Sequence, residues 1–105
     1  MKTILVTDDS KVDRKITAAT LKRDFQVIEA EDGHGALDVL RETHVDLILL
    51  DVNMPELDGP DTLREIRRLG IETPVILLTS EVRTNIISDM MSEGIANYIV
   101  KPVSP

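Results

Sequence analysis

The sequence predicts an α/β domain built on a five-stranded parallel sheet, and three observations point there. Short aliphatic runs of about five residues recur along the chain. Each gives way to a longer amphipathic stretch bounded by turn residues. The runs are nearly continuous in Val, Ile and Leu, which suits strands covered on both faces. At 105 residues the chain has the length of a single domain, and one unit over residues 1–105 is expected.

The first strand is expected at Thr3 to Thr7. Ser10 then reads as a helix N-cap with Asp13 three residues on, and Val12, Ile16, Ala19 and Leu21 are expected to face the sheet. The second strand covers Gln26 to Ala30. Gly33 and Gly35 read as a turn, since the remaining glycines of a dinucleotide fingerprint are absent, and the second helix runs from about Gly35 to Glu42 with Ala36, Leu37 and Leu40 inward. Leu47 to Leu50 form the third strand. Pro60 suits the first turn of a third helix that carries Leu63 and Ile66 and closes at Gly70. The fourth strand spans Pro74 to Leu78. A fourth helix, from about Arg83 to Glu93 with Gly94 as its stop, places Ile86, Ile87, Met90 and Met91 at helical spacing. Its stretch from Thr84 to Asp89 is rich in poor helix formers, so it is expected to be the least secure. The fifth strand is Ala96 to Val100. After Lys101, Pro102 and Val103, Ser104 and Pro105 read as the cap and first position of a fifth helix, so the expectation is a chain truncated where that helix begins. Right-handed crossovers would stack the first and fifth helices on one face of the sheet, and loss of the fifth would leave an apolar patch able to recruit a partner, a second copy of the chain included.

Composition removes several classes of function. The formal net charge of −7 argues against nucleic acid or an anionic membrane as a direct partner. With no cysteine, a disulfide framework and a cysteine zinc site are both excluded. The longest aliphatic run, Leu47 to Leu50, is far short of the roughly 18 residues of a spanning helix, and the N-terminal run Ile4 to Val6 is interrupted by Asp8 and Asp9 before it could serve as a signal peptide. A cytoplasmic location is the expectation.

In open parallel sheets, ligands gather at the carboxyl ends of the strands. Asp8 and Asp9 follow the first strand, Asp51 the third, Thr79 and Ser80 the fourth, and Lys101 the fifth. Strand two ends in Glu29 to Asp32, which would lie to the side. Three carboxylates at such close quarters repel strongly, by about 4 kcal/mol per pair at ~4 Å and an effective dielectric near 20, so a cation is expected among them. Oxygen-only donors select a hard cation, and Mg²⁺ suits two or three carboxylates with water better than a full calcium cage does. Calcium is the alternative, because the loop from Asp51 to Asp58 is also acidic, although it lacks EF-hand spacing. A carboxylate-held metal beside Lys and Thr equips a site to handle a phosphoryl group, with Asp51 on the middle strand as nucleophile. A single Asp after a strand is ordinarily a turn former or helix cap. The set is what departs from that reading.

Four stretches, Ile4-Leu5-Val6-Thr7-Asp8-Asp9-Ser10, Asp51-Val52-Asn53-Met54-Pro55-Glu56-Leu57-Asp58-Gly59, Leu78-Thr79-Ser80 and Tyr98-Ile99-Val100-Lys101-Pro102, give the chain a family resemblance over its whole length. It resembles a response-regulator receiver domain of bacterial two-component signalling, of the chemotaxis-receiver kind. The resemblance implies a flavodoxin-like fold of strand order 2-1-3-4-5, and an Asp51 that accepts a phosphoryl group from the phosphohistidine of a sensor histidine kinase or phosphotransfer domain. It further implies that Asp9, Asp51 and the Asn53 carbonyl ligate Mg²⁺ with Asp8 acting through water, and that Lys101 pairs with the acyl phosphate while Thr79 moves to bond it. Tyr98 would be the aromatic switch, Ser80 would leave room beside the phosphate, and the side chains of Asn53 and Glu81 would tune the lifetime of the phosphorylated state. The signal would leave through the surface around the fourth helix and fifth strand, and the Lys101-Pro102 peptide would be cis. Such a domain catalyses its own phosphorylation and dephosphorylation without being a turnover enzyme. Val103 departs from the aromatic often found after Lys-Pro, which bears on packing more than on chemistry.

Rival readings are a phosphatase with an aspartyl nucleophile, an interaction module that keeps the fold without accepting phosphate, and the regulatory part of a DNA-binding regulator or hybrid kinase. The first usually wants Asp-x-Asp and a cap, whereas the acidic pair here is adjacent. Plainer roles attach to individual residues. Tyr98 on a strand is ordinarily a packing residue, Met90 and Met91 belong to core or helix surface, and His34 and His44 lack ligand spacing and read as exposed. Lys11, Arg14, Lys15, Lys22 and Arg23 make the first helix basic, as a solvated face or as one that steers an acidic partner, and in the family the first helix commonly receives the phosphotransfer domain.

Overall fold

A computed structural model describes residues 1–80, 91–92 and 94–101. Its elements are β1 (Thr3–Thr7), α1 (Lys11–Leu21), β2 (Gln26–Ala30), α2 (Gly33–Glu42), β3 (Leu47–Asp51), α3 (Gly59–Arg68), β4 (Val75–Thr79) and β5 (Asn97–Val100). All strand pairs are parallel, in the order β2-β1-β3-β4-β5. That is the order implied by the resemblance. β1 is flanked by β2 and β3, so the chain winds outward in one direction and then in the other, and the ends of β1 and β3 border the switch point.

Helix boundaries follow local chemistry. Ser10 caps α1 by accepting from the Asp13 N–H at 3.2 Å. Asp58 does the same for α3 from the Asp61 N–H at 2.9 Å, with Pro60 in the first turn as expected. Gly70 at φ 82 closes α3, its N–H donating to the Arg67 carbonyl. Gly94 at φ 97 follows the helical residues Met91 and Ser92 and donates to the Met91 carbonyl, which suits the stop expected of it. The rest of the expected fourth helix, including Ile86, Ile87 and Met90, lies outside the described residues, as do Glu81, the Lys101-Pro102 peptide, Val103 and the start of the expected fifth helix.

Two expectations need correction. Gly33 and Gly35 do not form a separate turn: Asp32 caps α2 by accepting from the Gly35 N–H at 2.7 Å, and both glycines lie in the first turn of the helix. Gly33 is buried where a Cβ would collide with the Thr62 hydroxyl of α3 and the Leu57 carbonyl, so its hydrogen permits the close α2–α3 approach. The inward face of α1 also differs from the one expected. Val12 and Ile16 are 68% and 44% exposed, and Ala19 is exposed too, whereas Thr17 and Ala18 are buried and Leu21 packs on the sheet. Arg14, Thr17, Ala18 and Leu21 share one helical face. The rotation of the helix is set by Arg14, which reaches under α1 to Glu29 and to the Asp8 carbonyl, and the competing stripe of Val12 and Ile16 turns outward.

The core has two parts. The larger joins Leu5, Ile48, Leu50, Val75 and Leu77 to Ala36, Leu37 and Leu40 of α2 and Leu63 and Ile66 of α3. A smaller one on the other face joins Ile4, Val6, Leu49 and Leu78 to partly buried Leu21, Phe25, Val27 and Ile99. Alternation along β1 assigns Leu5 to one and Ile4 and Val6 to the other, as the pleat demands. Thr7 is fully buried, and its hydroxyl has no partner among the described residues.

Candidate functional site

The strand ends deliver the chemistry. Asp8 follows β1, Asp51 is the last residue of β3, Thr79 ends β4 and Lys101 follows β5. β3 therefore runs one residue past the expected Leu50, which places Asp51 on the sheet, with its Cα paired with Leu78 of β4. The Val52 N–H continues this pairing to the Leu78 carbonyl at 3.0 Å, and the Lys101 N–H donates to the Thr79 carbonyl at 2.7 Å. Neighbouring strands thus hold the polar residues in register with one another.

Asp8 is fully buried and satisfied at each polar group. Its N–H donates to the Ala30 carbonyl, Oδ1 accepts from the Ser10 N–H at 3.0 Å, Oδ2 accepts from Lys101 Nζ at 3.0 Å, and its carbonyl accepts from Arg14 Nη1 at 2.8 Å. Asp51 Oδ1 accepts from the Asn53 N–H at 3.4 Å, while Oδ2 lies 3.4 Å from Lys101 Nζ. Lys101, with a side chain only 10% exposed, also donates to Asp13 Oδ2 at 3.2 Å. One ammonium therefore sits among three carboxylates. Burial by itself would lower its pKa, but Asp8, Asp51 and Asp13 outweigh that and hold it above the ordinary lysine value.

Asp51 carries the opposite consequence. Burial, then the neighbouring Asp8 charge, push its pKa up from 3.8 to about 7, against the pull of Lys101 and the Asn53 N–H. A single ammonium does not offset the crowding of carboxylates. Oxygens of Asp8, Asp9 and Asp51 lie within 4.8 Å of one another, with Asp9 exposed at the rim. These donors are all hard oxygens, and their charge is under-compensated. They fit a small divalent cation.

The structure thus gathers Asp8, Asp9, Asp51 and Lys101 at one edge of the sheet. Asn53 stands exposed two residues after Asp51, Thr79 is buried at the end of β4, and Ser80 beyond it is exposed. Tyr98, on β5 opposite Leu77, is 37% exposed. His34 and His44 are exposed beside Glu56 and Asp46, as their spacing suggested. Met91 is exposed as well.

Three contributors escaped sequence reasoning. Asp13 appeared there as a helix-cap partner, yet it reaches Lys101. Arg14 belongs to the basic set of α1 by sequence, yet its side chain is only 12% exposed and it pairs with Glu29 at 3.1 Å. Glu29 lies to the side, on the edge strand β2, and joins the site through Arg14. Burial alone would raise the Glu29 carboxyl, but Lys15 and Arg14 more than compensate and leave it below its usual value. No local signal marked Arg14 as inward, because the apolar spacing of α1 fits more than one face and its partners lie at the ends of β1 and β2.

The family described as the response regulator receiver domain matches residues 4–105. This chain belongs to it. The chain is 37% identical over 102 residues to the sensor histidine kinase RcsC of Escherichia coli, covering 96% of this chain and 11% of that protein. To the chemotaxis protein CheY of Bacillus subtilis it is 33% identical, covering 94% of this chain and 84% of the relative. The solved structure of chemotaxis protein CheY4 from Vibrio cholerae superposes with a TM-score of 0.94 at 30% identity, covering 100% of this chain and 90% of that one. The receiver also spans 22% of the regulatory protein AtoC of Escherichia coli, so it matches only part of some longer relatives. Receivers work with sensor histidine kinases or phosphotransfer domains, and no helix among the described residues of this one is long and apolar enough to cross a membrane.

Proposed function

We propose that residues 1–105 form a phosphoacceptor unit in which Asp51 takes a phosphoryl group from the phosphohistidine of a sensor kinase or phosphotransfer domain. The observation that supports this most directly is the position of Asp51, buried at the end of the middle strand, 3.4 Å from Lys101 and within one cluster of oxygens with Asp8 and Asp9. In the step itself a carboxylate oxygen of Asp51 forms the O–P bond as the N–P bond of the phosphohistidine breaks, and the imidazole leaves with the electron pair. Lys101 would neutralise a phosphoryl oxygen. Asp8, Asp9, Asp51 and the Asn53 carbonyl would hold Mg²⁺, which when bound supplies positive charge for the carboxylates and the transferring group.

Thr79, at the end of β4, would hydrogen-bond the acyl phosphate. Tyr98, on the neighbouring strand and exposed in this state, would move inward after it and so change the surface around β5 and the residues before it. The side chains of Asn53 and Glu81 would set how long the phosphoryl group survives hydrolysis. The exposed Lys11, Lys15, Lys22 and Arg23 of α1 supply positive charge for docking an acidic donor domain in the cytoplasm. Intact mass after incubation with acetyl phosphate tests the reading. A gain of roughly 80 Da that requires both Mg²⁺ and Asp51, and is lost in Asp51→Asn, is expected. Equal labelling of Asp51→Asn would defeat the assignment.

A further inference from the structure

Lys101 makes one contact that the phosphoacceptor reading does not use. Its ammonium has three protons and, among the described residues, three carboxylate neighbours: Asp8 Oδ2 at 3.0 Å, Asp13 Oδ2 at 3.2 Å and Asp51 Oδ2 at 3.4 Å. Asp8 and Asp51 belong to the oxygen cluster suited to a divalent cation, whereas Asp13 does not. It stands in the first turn of α1 with its side chain 41% exposed. The ammonium and a divalent cation therefore share two carboxylates, and each weakens the hold of those carboxylates on the other. Asp13 is the only one of the three partners that a cation in that cluster leaves to the ammonium.

We propose that Asp13 is a positioning residue for Lys101: it retains the ammonium at the edge of the site when a divalent cation draws on Asp8 and Asp51. This rests on the phosphoacceptor reading, because it takes the cluster to be a cation site. The placement of Asp13 is well fixed for such a role. The Ser10 hydroxyl holds its N–H, and the adjacent Arg14 anchors the same turn to the Asp8 carbonyl. The cap orders the first turn of α1 and Arg14 ties that turn to the end of β1, which keeps the Asp13 carboxylate beside Lys101. Without Asp13 the partners left to the ammonium among the described residues are Asp8 and Asp51, both in the cation cluster.

The test is Mg²⁺ affinity, read by calorimetry on the full chain without any phosphodonor. Asp13→Asn keeps the shape of the side chain and the capping N–H while removing the charge, and is expected to weaken Mg²⁺ binding about three- to ten-fold. Asp13→Glu is expected to recover binding to within about two-fold of wild type. Lys101→Met removes the competing ammonium and is expected to tighten Mg²⁺, and Asp13→Asn in that background is expected to change affinity less than about two-fold. If Asp13→Asn weakens Mg²⁺ equally with and without Lys101, Asp13 acts as a remote charge or through α1, and the proposal is overturned. No effect of Asp13→Asn on the wild-type background overturns it too. The NMR signal of the Lys101 ammonium provides a readout that needs no Lys101 variant: at saturating Mg²⁺ it is expected to persist in the wild type and broaden in Asp13→Asn, and identical behaviour in both would also overturn the proposal. Failure of the wild-type chain to bind Mg²⁺ would instead remove the cation site itself, and the underlying reading with it.

Discussion

Arg14 Nη1 donates to the Asp8 carbonyl at 2.8 Å while its Nε meets Glu29 Oε1 at 3.1 Å, so one guanidinium of α1 ties the end of β1 to the end of β2. The pair is shielded from water, with side chains 12% and 19% exposed, which makes both contacts more consequential than a surface ion pair. Arg14→Gln is expected to lower unfolding stability by about 1–3 kcal/mol in a urea titration, because Glu29 loses its shielded partner and the Asp8 carbonyl its donor. Arg14→Lys is expected to recover less than half of that, since a single ammonium does not reproduce the two-pronged geometry. Full recovery by lysine would show that charge alone, and not the bridge, is what counts.

Asp51 makes stability depend on pH in a direction unusual for an acid. Its pKa stands at about 7 in the folded chain against 3.8 for an unperturbed aspartate, so between these values the folded state holds a proton that the unfolded state has released. Where the folded state binds more protons, stability falls as pH rises. In chelator, the stability of wild type relative to Asp51→Asn is therefore expected to drop by a few kcal/mol between about pH 4 and pH 7 and to level off above that. At pH 8 the Asn variant should be the more stable of the two. Saturating Mg²⁺ should restore the wild type, and parallel pH curves in chelator would contradict the account of Asp51 as a buried, repelled carboxylate.

The layout of the sheet was legible in the sequence because buried parallel strands leave little choice: runs such as Ile4-Leu5-Val6 and Leu47 to Leu50 can only be covered on both faces. The strand-end residues were legible for the same reason, since Asp8, Asp51 and Lys101 had to emerge at one edge once the strands were parallel. The face of α1 was not. Val12, Ile16 and Ala19 make as good an apolar stripe as Thr17, Ala18 and Leu21, and hydrophobic spacing could not choose between them. The choice fell to Arg14, whose partners lie on β1 and β2, far away in sequence. Asp13 went unrecognised likewise, because a residue 88 positions from Lys101 becomes its neighbour only when α1 and β5 are placed around the sheet. The start of α2 was missed for a local reason: two glycines suggested a turn, while the Asp32 cap and the tight space against Thr62 favour helix.

Gly59 shows how the backbone around Asp51 depends on absent volume. A Cβ there would lie 2.6 Å from the Asp51 carbonyl oxygen and 2.9 Å from Val52 Cα, both of them backbone atoms that cannot swing away as a side chain could. The Gly59 N–H also donates to the Val52 carbonyl at 3.0 Å, which closes the loop from Asp51 to the start of α3. Gly59→Ala is therefore expected to push the end of β3 or the first turn of α3 out of place, lowering stability by about 1–3 kcal/mol and slowing phosphoryl labelling of Asp51. Gly70→Ala provides the contrast: its cost comes from a φ of 82 with nothing within 4 Å, so it should lose about 1 kcal/mol and label at the wild-type rate. The two substitutions add the same methyl group, and only one adds it against the carbonyl of the proposed phosphoacceptor. Loss of labelling in both to the same degree would mean that overall stability, and not the position of Asp51, limits the reaction.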